Sequence, residues 1–68
     1  METFKIKGEY IQLNQLLKIL GWCGSGSEAN MIIESGDVMV NGVVELRKRN
    51  KIVPGTKVRF LDKEAEIL

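Results

Sequence analysis

The 68-residue chain reads as an α+β domain: two helices packed on a small, mainly antiparallel sheet. Three observations predict this. Leu13, Leu16, Leu17 and Leu20 fall at helical spacing, and so do Ala29, Ile32 and Ile33. Beyond them the chain alternates apolar and polar residues in short runs, broken by Asn41-Gly42 and Pro54-Gly55. Helices followed by hairpins place the helices together on one face of a sheet.

Each element has a local reason. In Thr3–Lys7, Phe4 and Ile6 lie on one side and Thr3, Lys5 and Lys7 on the other, a half-buried strand that Gly8 ends. Tyr10 and Ile11 lead into the first helix, over 12–20, with its leucines inward. Gln12 is a poor cap, so a frayed start is expected, and Gly21 stops the helix. Trp22-Cys23-Gly24 is a short link, which makes the two helices crossing neighbours. Ser25 and Glu28 form a capping-box pattern for a second helix over 25–35, closed by Gly36.

Val38-Met39-Val40 reads as a strand, Asn41-Gly42 as a tight turn and Val43–Leu46 as the return strand. That turn pairs Val40 with Val43 and Val38 with Glu45, setting a carboxylate on the face of two valines. Either Glu45 sits at the rim or the strand leaves the pairing early. Arg47–Lys51 (RKRNK) reads as a basic loop, and Pro54-Gly55 fits a type II turn. Lys57–Leu61 points Val58 and Phe60 in and Lys57 and Arg59 out. Asp62-Lys63 turns the chain into a last strand, Glu64–Leu68, with Ala65 and Ile67 on one face. No repeat, linker or low-complexity tract divides the chain, so residues 1–68 are expected to form one domain.

Composition excludes several functions. With one cysteine and no histidine, neither an internal disulfide nor a Cys/His zinc site is available, and no cofactor is expected. Nothing beside Cys23 activates it, so it reads as a small buried apolar residue. The carboxylates are scattered rather than paired for acid–base work, so the chain is not expected to be an enzyme. The run Gly21–Gly26 lacks the Gly-Lys-Ser/Thr ending of a phosphate-binding loop. The N-terminus has no apolar run behind a basic lead, and no apolar run approaches the ~20 residues that span a bilayer. A cytoplasmic protein without a membrane segment is expected.

The net charge of +1 hides a sharp asymmetry. Residues 1–46 carry −3, and 61–68 carry −2. Residues 47–60 carry +6, from Arg47, Lys48, Arg49, Lys51, Lys57 and Arg59 without an acid. Such a segment is an electrostatic footprint for a polyanion. Trp22 and Tyr10 are able to stack on bases, but a chain with four aromatic residues needs them for its core.

Order and spacing resemble the S-four domain, the RNA-binding module named after the fourth protein of the small ribosomal subunit and built on the alpha-L motif. The residues that carry the likeness are Leu13, Leu16-Leu17-Lys18, Gly21, Ser25–Ala29, Ile32 or Ile33, Gly36–Gly42 and Ile52–Gly55. The segment Gly36-Asp37-Val38-Met39-Val40-Asn41-Gly42 is the most telling. The short first strand and the Ser-Gly-x-Glu-Ala helix start are similar to a bacterial subgroup consisting of little else. The resemblance implies binding of structured RNA, ribosomal RNA or a tRNA-like shape, through the helices and the adjoining hairpin.

By position it implies contacts from Lys18, Ser25, Asn30 and Arg47-Lys48-Arg49. Asn30 is a departure, because the family usually has Lys or Arg there. Thr56 is another, where Asp is common after the Pro-Gly turn. Lys51 extends the basic run, and Asn41 contributes if the hairpin tip faces the ligand. The expected partners are RNA and, with it, ribosomal proteins, met by a monomer. The alternative is a protein adaptor that docks the basic loop on an acidic partner, with Met31 and Met39 as an adaptable apolar patch.

Overall fold

The computed structural model describes residues 1–68. In chain order the elements are β1 (Glu2–Phe4), β2 (Ile11–Gln12), α1 (Leu13–Ile19), α2 (Gly26–Glu34), β3 (Val38–Val40), β4 (Val43–Val44), β5 (Lys51–Ile52), β6 (Lys57–Phe60) and β7 (Lys63–Ile67). Five strands form one sheet in the order β1-β7-β6-β3-β4, while β2 and β5 form a separate ladder. All pairs are antiparallel except β1 with β7. The α+β expectation, helices on one face of a mainly antiparallel sheet, holds.

The core follows from the two periodicities. Leu13, Leu16 and Leu17 of α1 and Ala29 and Ile33 of α2 meet Val38, Val58, Phe60, Ala65 and Ile67 from the sheet. In β6 the alternation is complete: Val58 and Phe60 are buried, Lys57 and Arg59 exposed. Both helices close with the paired bonds of a Schellman turn. Trp22 N–H donates to Leu17 and Gly21 N–H to Lys18, then Asp37 N–H to Ile32 and Gly36 N–H to Ile33. Gly36 takes the left-handed φ of 83° that this ending demands. The Asn41-Gly42 turn has φ of 52° and 82°, the type I′ pattern, and Val40 pairs with Val43 as expected.

Several expectations need correction. The first strand is shorter and starts one residue earlier. Its chain still follows β7, through Leu68 N–H to Phe4 (2.8 Å) and Ile6 N–H to Leu68 (3.2 Å), and the pairing stops where β7's extension stops. Ladder β2–β5 was not anticipated, because two-residue strands carry no readable period. It moves Lys51 out of the loop and onto a strand. The last turn is Leu61-Asp62, one residue early, so Lys63 pairs with Phe60. Strand β4 ends at Val44, yet Glu45 N–H still donates to Val38 at 3.0 Å and its side chain stays at a half-buried rim. Both solutions to the Glu45 conflict operate together.

Trp22 is buried and its Nε1–H donates to the Glu2 carboxylate at 2.9 Å. Tyr10 is not in the core; 42% of it is exposed. Cys23 is half-buried against the core, and its thiol donates to the Ser25 carbonyl. Burial is the main cause that pushes the thiol's pKa up. Met31 and Met39 do not share a patch. Met31 lies exposed on α2, while Met39 pairs with Val44 and Arg59 and alternates with the inward Val38 and Val40. They therefore lie on opposite sides of the sheet.

Leu61 occupies φ 58°, a left-handed conformation that costs a Cβ-bearing residue about 1–2 kcal/mol. It is 61% exposed, so its side chain contributes little packing. Glycine fits the first central position of such a two-residue turn. Leu61→Gly should raise stability by roughly 0.5–1 kcal/mol after glycine's own entropy cost, read as an upward shift of the urea midpoint with an unchanged slope.

Candidate nucleic-acid interface

The basic segment has a defined shape, and Glu45 gives it that shape. Glu45 is the sole acid between Asp37 and Asp62. Its Oε2 accepts from the Arg47 backbone N–H at 2.9 Å and from Arg47 Nε at 3.0 Å. Its Oε1 accepts from Arg47 Nη2 at 3.1 Å and from Asn50 Nδ2 at 3.0 Å. The Asn50 N–H then closes the turn on the Arg47 carbonyl at 3.1 Å. The side-chain bond from Arg47, and next its backbone N–H, hold the Glu45 carboxyl below the usual glutamate range. The same pair raises the Arg47 pKa further, so Arg47 stays charged.

The loop in turn caps α1. Leu13 N–H donates to the Asn50 carbonyl at 2.9 Å and Asn14 N–H to the Lys48 carbonyl at 3.0 Å. Gln15 N–H donates to Asn14 Oδ1 at 2.8 Å. The expected frayed start is therefore absent. Gln12 makes no side-chain cap, and two carbonyls from a loop more than thirty residues downstream replace it. Asn14 also reaches α2, where its Nδ2 donates to Asn30 Oδ1 at 3.0 Å.

The predicted contact residues now have places. Arg47, Lys48 and Arg49 lie in the loop, and Lys51 follows on β5. Lys48 Nζ stands 3.6 Å from Glu34 Oε2 at the end of α2. Arg47, Arg49, Asn50 and Lys51 alone line a shallow concavity of about 360 Å³. Lys18 lies exposed on α1, one turn beyond Asn14 on the same face. Ser25 caps α2: its Oγ accepts from Glu28 N–H at 3.2 Å, while Glu28 Oε1 accepts from Gly24 N–H at 2.7 Å. The helix start thus already holds a carboxylate. The Asn14–Asn30 bond and the Lys48–Glu34 pair join the helices and the loop into one continuous face.

Asn41 stands apart. Its Oδ1 accepts from Lys57 N–H at 2.9 Å and its own N–H donates to the Lys57 carbonyl at 2.8 Å, which ties the hairpin tip to β6. Lys57 and Arg59 point to the helix-free side of the sheet, opposite Glu66 and Glu64. Sequence reasoning missed Asn14, Glu45 and Asn50. Only Glu45 left a trace, as a lone acid two residues before a run of cations.

The Glu45 pair has a measurable consequence. A carboxyl whose pKa is depressed in the fold contributes stability at neutral pH. That contribution is lost as the pH falls below about 4.3 and through the lowered folded value. Glu45→Ala should remove this acid-sensitive component and cost about 1–2 kcal/mol. Amide exchange at Leu13 and Asn14 should quicken in the variant, because their acceptors belong to the loop that Glu45 holds.

Comparison with known proteins places this geometry in a wider group. The sequence profile of the S4 domain matches residues 4–68. YbcJ of Escherichia coli K12 is 42% identical over 69 residues, covering 100% of this chain and 99% of YbcJ. Its solution structure, described as revealing an αL motif involved in RNA binding, superposes with a TM-score of 0.77 over 100% of this chain and 87% of that one. A tyrosine–tRNA ligase of Ralstonia nicotianae is 42% identical over 59 residues, which are 87% of this chain and 15% of the ligase. With a profile match over nearly its whole length and the helix–hairpin–loop unit in place, the chain belongs to the S4 domain family.

Proposed function

We propose that this protein is a non-catalytic binder of structured RNA, working in the cytoplasm as a monomer. The concavity formed by Arg47, Arg49, Asn50 and Lys51 carries the reading, because a rigid surface lined by three cations and an amide suits a phosphate backbone. The description of YbcJ's structure supports it. The favoured target is ribosomal RNA, with ribosomal proteins as neighbours. Shape and 2′-OH contacts dominate over base reading, because A-form grooves expose few base edges to side chains.

The charge available to RNA is less than the sequence count. Arg47 shares its charge with Glu45, and Lys48 faces Glu34. Arg49 and Lys51 have no carboxylate partner and supply most of the attraction. Lys18 and the amides of Asn14 and Asn30 extend the surface across the helices. Met31 and Met39, separated by the sheet, give the adaptor alternative no common patch.

Salt titration with ribosomal RNA fragments is the test. Each phosphate contact contributes a slope of roughly −0.7 to −0.9 in log affinity against log salt. Arg49→Ala with Lys51→Ala should flatten the slope by about 1.4–1.8 and weaken binding at least tenfold at low salt. An unchanged slope in that double variant would remove the proposed surface.

A further inference from the structure

The largest concavity in the molecule is not the basic one. It is a groove of about 610 Å³ between the 4–11 arm and α1, a volume within the roughly 300–1,000 Å³ typical of small-ligand sites. Its walls are mixed. Tyr10 and Ile19 present apolar surface and are 42% and 57% exposed, and Ile11, also in the lining, is half-buried. Lys5 and Lys7 line the arm side, and Gln12 and Gln15 line the helix side. No acidic residue lines the groove.

The groove connects to the basic surface. Gln12 pairs with Lys51 in the β2–β5 ladder, and the Lys51 ammonium stands 5.0 Å from the centroid of the Tyr10 ring. One lysine of the basic concavity therefore stands beside Tyr10 and Gln12, two residues of the groove wall.

We infer that this groove takes a single unpaired nucleotide from the RNA held by the loop. The inference rests on the RNA-binding reading above. A base needs an apolar wall and an aromatic platform on which to stack, which Ile19 and Tyr10 supply. Its polar edge needs paired donors and acceptors, which the Gln12 and Gln15 amides supply. Its phosphate needs cations, which Lys5 and Lys7 supply at the opposite wall. An extruded base stays attached to a duplex, so the site must adjoin the surface that grips the duplex, and Lys51 is that junction. The protein then distinguishes a helix with a bulge or overhang from a continuous one.

Two RNAs test this: a 12-base-pair duplex and the same duplex with one bulged 2-aminopurine. The wild-type protein should bind the bulged RNA about tenfold more tightly and quench the probe's fluorescence. Tyr10→Leu keeps bulk without the ring. It should abolish both the preference and the quenching while leaving affinity for the continuous duplex within about twofold. Gln15→Ala, at an exposed helical position, should reduce the preference without affecting folding.

Equal affinity for the two RNAs with no quenching, in a protein that still binds duplex, would overturn the groove assignment and leave RNA binding standing. No binding to either RNA would overturn both. Shifts of the Gln12 and Gln15 amide resonances on adding an oligoglutamate peptide, with none on adding either RNA, would overturn the assignment in favour of an acidic protein segment.

Discussion

Two backbone hydrogen bonds tie the molecule together where its function is proposed to lie. Leu13 and Asn14 offer the first free N–H groups of α1, and the carbonyls of Asn50 and Lys48 accept them. A helix N-terminus left without acceptors is costly when its first turn is buried, and Leu13 is fully buried. The usual remedy is a capping side chain, which Gln12 does not provide. The loop therefore has to lie against the helix with its carbonyls inward. Its side chains have to point away, towards solvent or a ligand. The same constraint that completes α1 displays Arg47, Arg49 and Lys51.

Glu45 makes that arrangement compatible with strand β4. Continuing the hairpin would carry its carboxylate further along the valine face. Ending the strand at Val44 frees the side chain to gather Arg47 and Asn50 into a turn. One acid thus ends a strand, shapes a loop and offsets one of the loop's cations. Exposed ion pairs are worth little alone. Here the pair is reinforced by a backbone N–H and an amide on the same carboxylate, which makes it a fixed geometry rather than a passing contact.

The fold was legible wherever one residue's neighbours in sequence decide its state. Leucine spacing, the Ser25–Glu28 capping box, Gly36, Asn41-Gly42 and Pro54-Gly55 are such cases; even the type II turn's Thr56 N–H to Val53 bond is present. What escaped depends on partners distant in sequence. Strands β2 and β5 exist only because each completes the other across the thirty-eight residues of chain between them. Parallel pairing of β1 with β7 joins the two ends of the sequence. Asn14 shows no local sign of its bond to Asn30. Composition revealed that the 47–51 segment is basic, but not which cations have acids beside them, because Glu34 reaches Lys48 only in the folded chain.

Asn30 shows what that distinction means for the surface. A lysine or arginine at this position, as the resemblance leads one to expect, would add a charge to the helical face. It would also replace the acceptor that Asn14 Nδ2 uses. Asn14 is the residue whose N–H holds Lys48 and whose Oδ1 holds Gln15. The amide at position 30 therefore ties α2 to Asn14 of α1, whose backbone N–H in turn meets the loop. The surface gives up long-range attraction, which salt screens over about 10 Å, and keeps a pre-ordered frame that loses less conformational freedom when a partner is bound. The face thus combines an amide-linked frame on the two helices with the carboxylate-free cations Arg49 and Lys51 beside it.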